Sequence, residues 1–500
     1  MTPPEAREYD VVIIGSGAGG GTVAQVLAPM VADGVRILVL EQGAQLDDDE
    51  YTGDELAMSA ALYEDGGGFL TADGSMTLAF GRAYGGSTVV YTGTSLIAPD
   101  RVIRGWCVPG LDFADVERRS QRYMAENHVH FLPRVLLNEN NRLFVTGCAR
   151  LGVKAEQFPL NLQGCRGSSL CNLGCPNAAK MGTHRVQLPN AQRAGVEVVT
   201  RAEALRLEER SVVVRVHAKR AGEKGRPAPW PPGDYRVRAR QVVLCGGSLG
   251  TTALMLRSDV TRQLPRLGER FTCHPALILV AEHEQPITND VGHPKSYYLD
   301  RAEHEGYVLE TCMYFPFVTA KNLTGFGPDH STFMRAFPRL QMILALACDK
   351  AVPGNRITVN GRGKPVVHYR FTPAVIRSLV SATRMSARIF FAAGARRVHA
   401  PSADPPLLER EQAYRLDDLI VERHFLPGRI SVSAAHLMGG CAMGAEGTGV
   451  TDARGRVYGI PWLRVADSAL FPDSVEINPY LTVMALADRV AEGIRDDWTR

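Results

Sequence analysis

The chain has 500 residues, of which 45% are hydrophobic and 22% charged, so its composition is that of a globular protein large enough for two or three domains. Its 56 basic and 53 acidic residues give a formal charge of +3, and no run of Lys or Arg exceeds two residues, which disfavours a nucleic-acid partner. No apolar stretch predicts a membrane span and the N-terminus does not resemble a signal peptide, so we expect a cytoplasmic protein with reduced cysteines.

The N-terminal region carries the clearest structural signal. Residues Tyr9–Ile14 form a short β-branched apolar run that predicts a buried parallel strand. The segment GSGAGG at 15–20 follows, then a helical stretch at Thr22–Val31, and then a second apolar run, Val35–Leu40, that ends in Glu41. This order of elements predicts a βαβ unit of the kind that binds a dinucleotide.

The residues of this unit have distinct physical roles in such a site. Gly15 and Gly17 let the backbone turn and approach a pyrophosphate, and Gly20 lets the helix pack closely on the strand. Glu41 lies 21 residues after Gly20, where its carboxylate can accept hydrogen bonds from a ribose. The motif alone does not distinguish NAD from FAD.

Apolar runs return later in the chain and predict further strands of the same sheet. They are Val196–Thr200, Val212–Val216 and Val237–Cys245. Residues 269 to 430 differ in character, with more aromatic and charged residues, and Thr372–Ala393 within them predicts one amphipathic helix. We therefore expect a cofactor domain, discontinuous in sequence, around an inserted substrate domain.

Several motifs together resemble those of the glucose–methanol–choline (GMC) family of flavin oxidoreductases. They are GSGAGGGTVAQVLA with LVLEQG near the N-terminus, Gly81–Thr88, His436–Gly444, Val450–Pro472 and Ile477–Ile494. The resemblance covers most of the chain and is weakest from 275 to 430. It implies an α/β protein, α+β overall, with a Rossmann-like FAD-binding domain and a substrate-binding domain built on a mixed or antiparallel sheet.

The resemblance also implies domain boundaries and cofactor contacts. We expect the FAD-binding domain at 1–98, 176–272 and 440–500, and the substrate-binding domain at 99–175 and 273–439. The residues expected to contact FAD are Gly15, Gly17, Ala18, Gly20, Glu41, Gln42, Arg82, Gly85, Gly86, Ser87, Asp467, Asn478 and Pro479. The sequence departs from the family at Tyr91, where members usually carry Asn, so the lining of the flavin's reactive edge is expected to differ.

Oxidation of an alcohol removes a proton from oxygen and a hydride from carbon, so a base must lie beside the hydroxyl while flavin N5 accepts the hydride. His436 aligns with the catalytic His of the family, and imidazole titrates near neutrality. Asn478 matches the second member of the catalytic pair and would hold the hydroxyl by hydrogen bonding. Asn478 and Pro479 also predict the capped start of the last helix, with its dipole toward the flavin. His274 resembles a structural position of the family, and we expect no catalytic role for it.

Three cysteines, Cys165, Cys171 and Cys175, are spaced C-x5-C-x3-C-P, which is typical of an iron–sulfur loop. Within the GMC family this spacing occurs in members with a [3Fe–4S] cluster and in members without one. A thiol-rich structural loop and a zinc site that lacks its fourth ligand are the other interpretations.

The sequence thus predicts an FAD-dependent enzyme that oxidises the CH–OH group of a small-molecule alcohol to an aldehyde or ketone. Carboxylates such as Glu310 and Glu476 favour a sugar or an aminocyclitol antibiotic precursor as substrate. A sterol or long-chain alcohol oxidase is the alternative within the class, because the segment around Cys171 also resembles those enzymes. A nicotinamide-dependent dehydrogenase and a non-catalytic flavin electron-transfer protein are the alternatives from other classes. The electron acceptor, O2 or another molecule, and the oligomeric state stay open.

Overall fold

The computed structural model describes residues 5–402 and 407–499. The α-helices within these residues are α1 (Ala18–Leu27), α2 (Glu55–Leu62), α3 (Asp100–Gly105), α4 (Phe113–Glu126), α5 (Glu139–Arg150), α6 (Gln187–Arg193), α7 (Gly247–Leu256), α8 (Ala302–Glu305), α9 (Pro316–Asn322), α10 (Gly327–Arg335), α11 (Pro373–Ala393), α12 (Leu416–Leu419) and α13 (Tyr480–Trp498).

The strands of the same residues are β1 (Glu5–Ile14), β2 (Ile37–Leu40), β3 (Phe69–Leu70), β4 (Thr77–Leu78), β5 (Val129–His130), β6 (Glu156–Gln157), β7 (Leu160–Asn161), β8 (Glu197–Val199), β9 (Ala202–Glu208), β10 (Ser211–Val216), β11 (Gly233–Leu244), β12 (Ala276–Glu282), β13 (Tyr297–Arg301), β14 (Tyr307–Thr311), β15 (Leu340–Ala347), β16 (Arg356–Val359), β17 (Pro365–His368), β18 (Arg397–His399), β19 (Leu407–Glu409), β20 (Ser433–Ala434) and β21 (Leu463–Val465).

The first sheet has the order β8-β2-β1-β11-β10-β9, and β21 pairs with the end of β11. Strands β8, β2, β1, β11 and β21 run parallel, whereas β10 and β9 continue the sheet as antiparallel strands. The apolar runs of β1 and β2 are continuous because both faces of these parallel strands are buried. Helix α1, which follows β1, packs against both α13 and α6. The prediction of a Rossmann-like domain is confirmed.

The predicted first helix is present but displaced toward the N-terminus. Helix α1 begins at Ala18 and ends at Leu27, whereas the sequence pattern suggested Thr22–Val31. Residues Ala28–Asp33 form a 3-10 helix instead, with Pro29 in its first turn. Because proline has no N–H, it cannot donate the next hydrogen bond of an α-helix, which explains the early end.

The second sheet has the order β3-β4-β20-β12-β15-β14-β13-β6, with β18 and β19 beside β12. Its pairs are antiparallel except for β4 with β20, so it is the mixed sheet that was expected. Helix α11 packs on β15 and β14 and begins at the predicted place, where the Thr372 side chain accepts a hydrogen bond from the N–H of Val375.

The two sheets draw their strands from alternating parts of the chain. The first sheet uses residues 5–40, 197–244 and 463–465, which fits a cofactor domain that is discontinuous in sequence. Strands β3 and β4 lie within the segment 1–98 but pair in the second sheet. The domain boundaries themselves stay a prediction. Among the described residues, no helix combines the length and apolar composition needed to cross a lipid bilayer.

Candidate active site

The glycine turn after β1 is built by close backbone approach. Gly15 has a φ of +102°, and a Cβ at this position would lie 2.3 Å from the carbonyl oxygen of Cys245. A Cβ at Gly20 would lie 1.8 Å from the carbonyl oxygen of Gly15. A larger residue at Gly20 would push α1 away from the end of β1, which agrees with the close packing predicted for this glycine, and a larger residue at Gly15 would collide with the chain after β11.

The N-terminus of α1 is left free of side-chain caps. Gly17 occupies the N-cap position, no side chain accepts from the first N–H groups, and the first turn contains no acidic residue. A second glycine turn lies against it, because a Cβ at Gly86 would lie 2.7 Å from the Cα of Gly17. Unpaired N–H groups and the positive end of the helix dipole together favour an anion such as a pyrophosphate.

Glu41 is buried beside this turn and linked to it by hydrogen bonds. Its Oε2 accepts from the backbone N–H and the hydroxyl of Ser16, at 3.0 and 2.6 Å, and its Oε1 accepts from the N–H of Gly43 at 2.7 Å. Burial raises the pKa of the Glu41 carboxyl, and these three hydrogen bonds oppose that effect. The Ser16 hydroxyl also accepts from the N–H of Gly85 at 2.9 Å, so one side chain joins both glycine turns.

Sequence reasoning missed Ser16, although it lies within the glycine motif. Ser16 is the one polar residue between Gly15 and Gly17, where the backbone turns tightly. Its position there was the available signal.

The remaining residues expected at the cofactor differ in where their side chains point. Ala18 opens α1, and Gln42 is exposed directly after Glu41. Arg82 forms an ion pair with Glu64 at 3.4 Å, and the Ser87 hydroxyl accepts from the N–H of Gly81 at 2.9 Å. Arg82 and Ser87 therefore stabilise the surrounding loops through their side chains, and their roles toward a cofactor stay predictions.

Asp467 is buried where β21 ends and fixes two chain turns. Its Oδ2 accepts from the N–H of Gly247 at 2.9 Å and from the hydroxyl of Thr251, and its Oδ1 accepts from the N–H of Ala469 at 2.7 Å. Burial raises the pKa of this carboxyl to about 6. The side chain thus holds the start of α7 against the C-terminal segment.

The glycine turns, the uncapped helix and the buried Glu41 fit a bound dinucleotide such as FAD. The fit rests on backbone atoms that approach too closely for any side chain and on N–H groups without a side-chain partner.

His436, just after β20, and His274, just before β12, contact each other. Their Nδ1 atoms are 2.9 Å apart, and their rings are perpendicular at 89° with centroids 5.1 Å apart. Within the described residues, no group hydrogen-bonds to the Nε2 of His436. Burial lowers the pKa of His436 well below its usual range, and the His274 ring and the Lys295 charge act in the same direction. His436 is therefore neutral at pH 7, with Nε2 available to a substrate.

Asn478 lies in the same region but does not cap the last helix. Its Nδ2 donates to Oε1 of Glu310 at 3.2 Å, and Oε2 of Glu310 forms a buried ion pair with Nζ of Lys295. Helix α13 begins at Tyr480 with Pro479 in the N-cap position and no side-chain cap. The predicted capping role of Asn478 is wrong, because Pro479 and not Asn478 occupies the N-cap position. The uncapped α13 terminus keeps its N–H groups available, as the predicted dipole role requires.

A cavity lies beside these residues. Its lining comprises His274, Asn478, Tyr298, Cys348, the carboxylates Asp300, Glu310 and Glu476, and the apolar Leu96, Val308, Leu346 and Ile477.

The three carboxylates of the cavity differ in how they are paired. Glu310 is paired with Lys295, and Glu476 is held by Arg101 at 2.6 Å and by Lys350 at 2.7 Å. Asp300 accepts a hydrogen bond from the N–H of Ala302 at 2.8 Å and has no Lys or Arg partner among the described residues. Asp300 is exposed to solvent and is thus the cavity carboxylate that no cation of the protein holds.

Tyr91, the departure from the family pattern, is held by contacts on several sides. Its hydroxyl accepts from the amide of Asn161, its ring packs edge-on against Tyr480 with centroids 5.0 Å apart, and Nζ of Lys180 lies 5.6 Å from its ring centroid. A side chain as small as Asn could not make all three contacts.

The three spaced cysteines are free thiols that line a second, small cavity with Lys180 and His293. In residues 5–402 and 407–499, no group of three or more His, Cys, Asp or Glu side chains is placed to hold a metal ion. The structure therefore gives no support to an iron–sulfur cluster or a zinc ion at Cys165, Cys171 and Cys175.

Comparison with known proteins agrees with this geometry. The family models for GMC oxidoreductases match residues 59–276 with their N-terminal part and 352–487 with their C-terminal part. An uncharacterised GMC-type oxidoreductase of Mycobacterium tuberculosis is 32% identical over 98% of this chain and 76% of its own length. A long-chain-alcohol oxidase of Arabidopsis thaliana is 27% identical over 97% of this chain and 67% of its own length.

Solved structures show the same fold at lower sequence identity. Pyridoxine 4-oxidase from Mesorbium loti superposes with a TM-score of 0.68 at 18% identity, covering 98% of this chain and 99% of that one. Formate oxidase from Aspergillus oryzae superposes with a TM-score of 0.70 at 14% identity, covering 99% of both chains. The chain therefore belongs to the glucose–methanol–choline oxidoreductase family and is an FAD-dependent oxidoreductase.

Proposed function

We propose that this enzyme oxidises a CH–OH group of a polar, amine-bearing small molecule, such as an amino sugar or an aminocyclitol of antibiotic biosynthesis, to an aldehyde or ketone. His436 acts as the base and Asn478 orients the hydroxyl. The observation that carries the substrate class is the unpaired Asp300 carboxylate in a cavity that also contains Asn478.

The reacting residues divide the work between proton removal and orientation. Nε2 of His436 takes the hydroxyl proton, and bound FAD supplies the acceptor for the hydride. Asn478 commits one amide hydrogen to Glu310, which leaves its carbonyl oxygen and second N–H for the substrate. Because the amide does not titrate near neutrality, it does not compete with His436 for the proton.

Asp300 supports an amine-bearing substrate for an electrostatic reason. The exposed carboxylate of Asp300 can accept a hydrogen bond from an ammonium group, and such a charge-assisted hydrogen bond is stronger than a neutral one. Glu310 and Glu476 do not serve this role, because cations of the protein already neutralise them.

A long-chain alcohol is the second candidate substrate. Leu96, Val308, Leu346 and Ile477 give the cavity an apolar wall, and a relative named as a long-chain-alcohol oxidase covers nearly the whole chain. Such a substrate would make no use of Asp300.

The test is anaerobic reduction of the bound flavin by matched alcohols. Glucosamine, glucose and dodecanol serve as probes of an amine-bearing, a neutral and a long-chain substrate. Each is tested with the wild type, with Asp300→Asn and with Asp234→Asn, a control at an exposed ion pair. We expect glucosamine to bleach the flavin fastest and Asp300→Asn to raise its KM about tenfold, the effect of about 1.4 kcal/mol of binding. If dodecanol reduces the flavin faster than glucosamine does, and equally fast in Asp300→Asn, the proposal of an amine-bearing substrate fails and a long-chain alcohol is favoured. Reoxidation by O2, compared with a dye acceptor, then identifies the electron acceptor.

A further inference from the structure

The imidazole of His436 is the end of a hydrogen-bonded chain. Its Nδ1 faces the Nδ1 of His274 at 2.9 Å, and the Nε2 of His274 lies 2.9 Å from the hydroxyl oxygen of Ser474. That oxygen also accepts from the N–H of Glu476 at 3.2 Å. His274 and Ser474 are both buried, so no solvent competes for these positions.

Counting protons along this chain gives two arrangements. A neutral imidazole carries one N–H and one lone pair, so only one of the two facing Nδ1 atoms bears a proton. If His274 bears it, the proton of His436 is on Nε2, and His436 cannot accept the proton of an alcohol. If His436 bears it, Nε2 of His436 keeps its lone pair and can accept a proton.

The second arrangement is also consistent at the far end of the chain. His274 then carries its proton on Nε2 and donates it to the hydroxyl oxygen of Ser474. A hydroxyl oxygen has two lone pairs, and it can accept from His274 and from the N–H of Glu476 together.

We propose that His274 is a positioning residue that holds His436 in the tautomer with a free Nε2. The inference rests on the proposed role of His436 as the base. In the reaction the O–H bond of the alcohol breaks and an N–H bond forms at Nε2 of His436; FAD, when bound, would accept the hydride from the carbon that bears this oxygen. His436 becomes an imidazolium, and its Nδ1–H then donates a charge-assisted hydrogen bond to the lone pair on Nδ1 of His274.

This arrangement gives His274 the place that a carboxylate holds in a Ser-His-Asp triad, where it fixes the ring and tautomer of the base. A neutral imidazole can fill that place only if it stays unprotonated. Burial lowers the pKa of His274 to about 4, and the Glu476 carboxylate opposes that effect. The charged groups that act on the two rings are Lys295 on His436 and Glu476 on His274.

The experiment compares two replacements of His274 that separate hydrogen bonding from packing. In His274→Asn, the side-chain carbonyl can reach the position of Nδ1 and accept the hydrogen bond, whereas His274→Leu fills the space without an acceptor. We expect His274→Leu to reduce its bound flavin about 100-fold more slowly than wild type, and His274→Asn to stay within about tenfold. The pH midpoint of the reduction rate shifts in His274→Leu, because the imidazolium of His436 has lost its acceptor.

Controls separate this inference from the proposed function. His283→Leu replaces another buried histidine, one that bonds to Gln341 at 2.8 Å in the substrate domain, and should keep the wild-type rate. If His436→Ala reduces flavin at the wild-type rate, the proposed function fails. If His436→Ala is impaired while His274→Leu reacts as fast as His274→Asn with an unchanged pH midpoint, only the role of His274 fails.

A further variant covers the case in which replacements of His274 lose the cofactor. Ser474→Ala removes the acceptor of the His274 Nε2 proton and leaves both imidazoles in place. We expect a rate lower by about tenfold at unchanged flavin content. A wild-type rate and pH midpoint in Ser474→Ala would overturn the proposed chain of hydrogen bonds.

Discussion

The two glycine turns, here called the cofactor cradle, depend on backbone atoms, whereas the substrate cavity depends on side chains. The cradle is made of backbone: Gly15, Gly20 and Gly86 bring main-chain atoms together at distances that exclude a Cβ. The cavity is made of charged, imidazole and apolar side chains that come from strands and loops far apart in the chain. Backbone atoms in direct contact leave no room for a larger residue. The side chains of a cavity can be replaced one at a time, which lets one fold accept different alcohols.

The largest effect should follow a change in the cradle. In Gly20→Ala, the new Cβ would meet the carbonyl oxygen of Gly15 at 1.8 Å, and both are backbone positions that cannot rotate away. We expect a loss of more than ~3 kcal/mol of stability and no bound flavin.

Gly250→Ala is the control, because this exposed glycine of α7 has no atom within 4 Å of the new Cβ. It should unfold at the wild-type temperature or slightly above. Thermal unfolding and flavin absorbance check both, and a flavin-loaded, stable Gly20→Ala would contradict the backbone argument.

The next effect tests whether the cavity depends on paired charges. Glu310→Gln leaves the buried ammonium of Lys295 without its partner, and we expect a cost of about 3 kcal/mol in urea unfolding. Lys295→Met should cost a similar amount, and the double variant should cost less than the sum of the two. Asp234→Asn, which removes half of an exposed ion pair, should cost less than about 1 kcal/mol. Additive losses in the double variant would show that the two side chains do not interact.

A smaller effect is expected at the junction between the two regions. Burial raises the pKa of Asp349 from 3.8 to about 6, so the folded protein holds this proton more tightly than the unfolded chain. Its contribution to stability is complete below pH 3.8 and is lost as the pH rises through about 6. The free energy of unfolding of the wild type, relative to Asp349→Asn, should therefore fall by about 2 kcal/mol between pH 4 and 7. A difference that does not change with pH would mean that the carboxyl titrates normally.

The smallest effect is expected at the three spaced cysteines. Replacing Cys165, Cys171 and Cys175 together by Ser should leave the visible spectrum of the enzyme unchanged, because no metal-binding group is seen at these thiols. The check is iron analysis and the absorption spectrum of wild type and variant. Stoichiometric iron in the wild type that disappears in the variant would restore the cluster hypothesis.

The sequence predicts the cofactor cradle better than the substrate cavity. The glycine turn, the βαβ unit around it and the place of Glu41 were predictable because each depends on residues that are neighbours in the chain. The contact of Asn478 with Glu310 joins residues 168 positions apart, and that of His274 with His436 joins residues 162 apart. A local motif carries no information on such pairs. The predicted cap at Asn478 was wrong, because α13 begins one residue later, with Pro479 at the N-cap position.

The central claim is that His436 is the base of an FAD-dependent alcohol oxidation. The most direct test is single-turnover flavin reduction in His436→Ala, measured anaerobically with the alcohol that reduces the wild type fastest. We predict that His436→Ala keeps its FAD and reduces it about 10²- to 10⁴-fold more slowly, as the loss of a general base requires. Reduction at the wild-type rate, with FAD still bound, would contradict the claim.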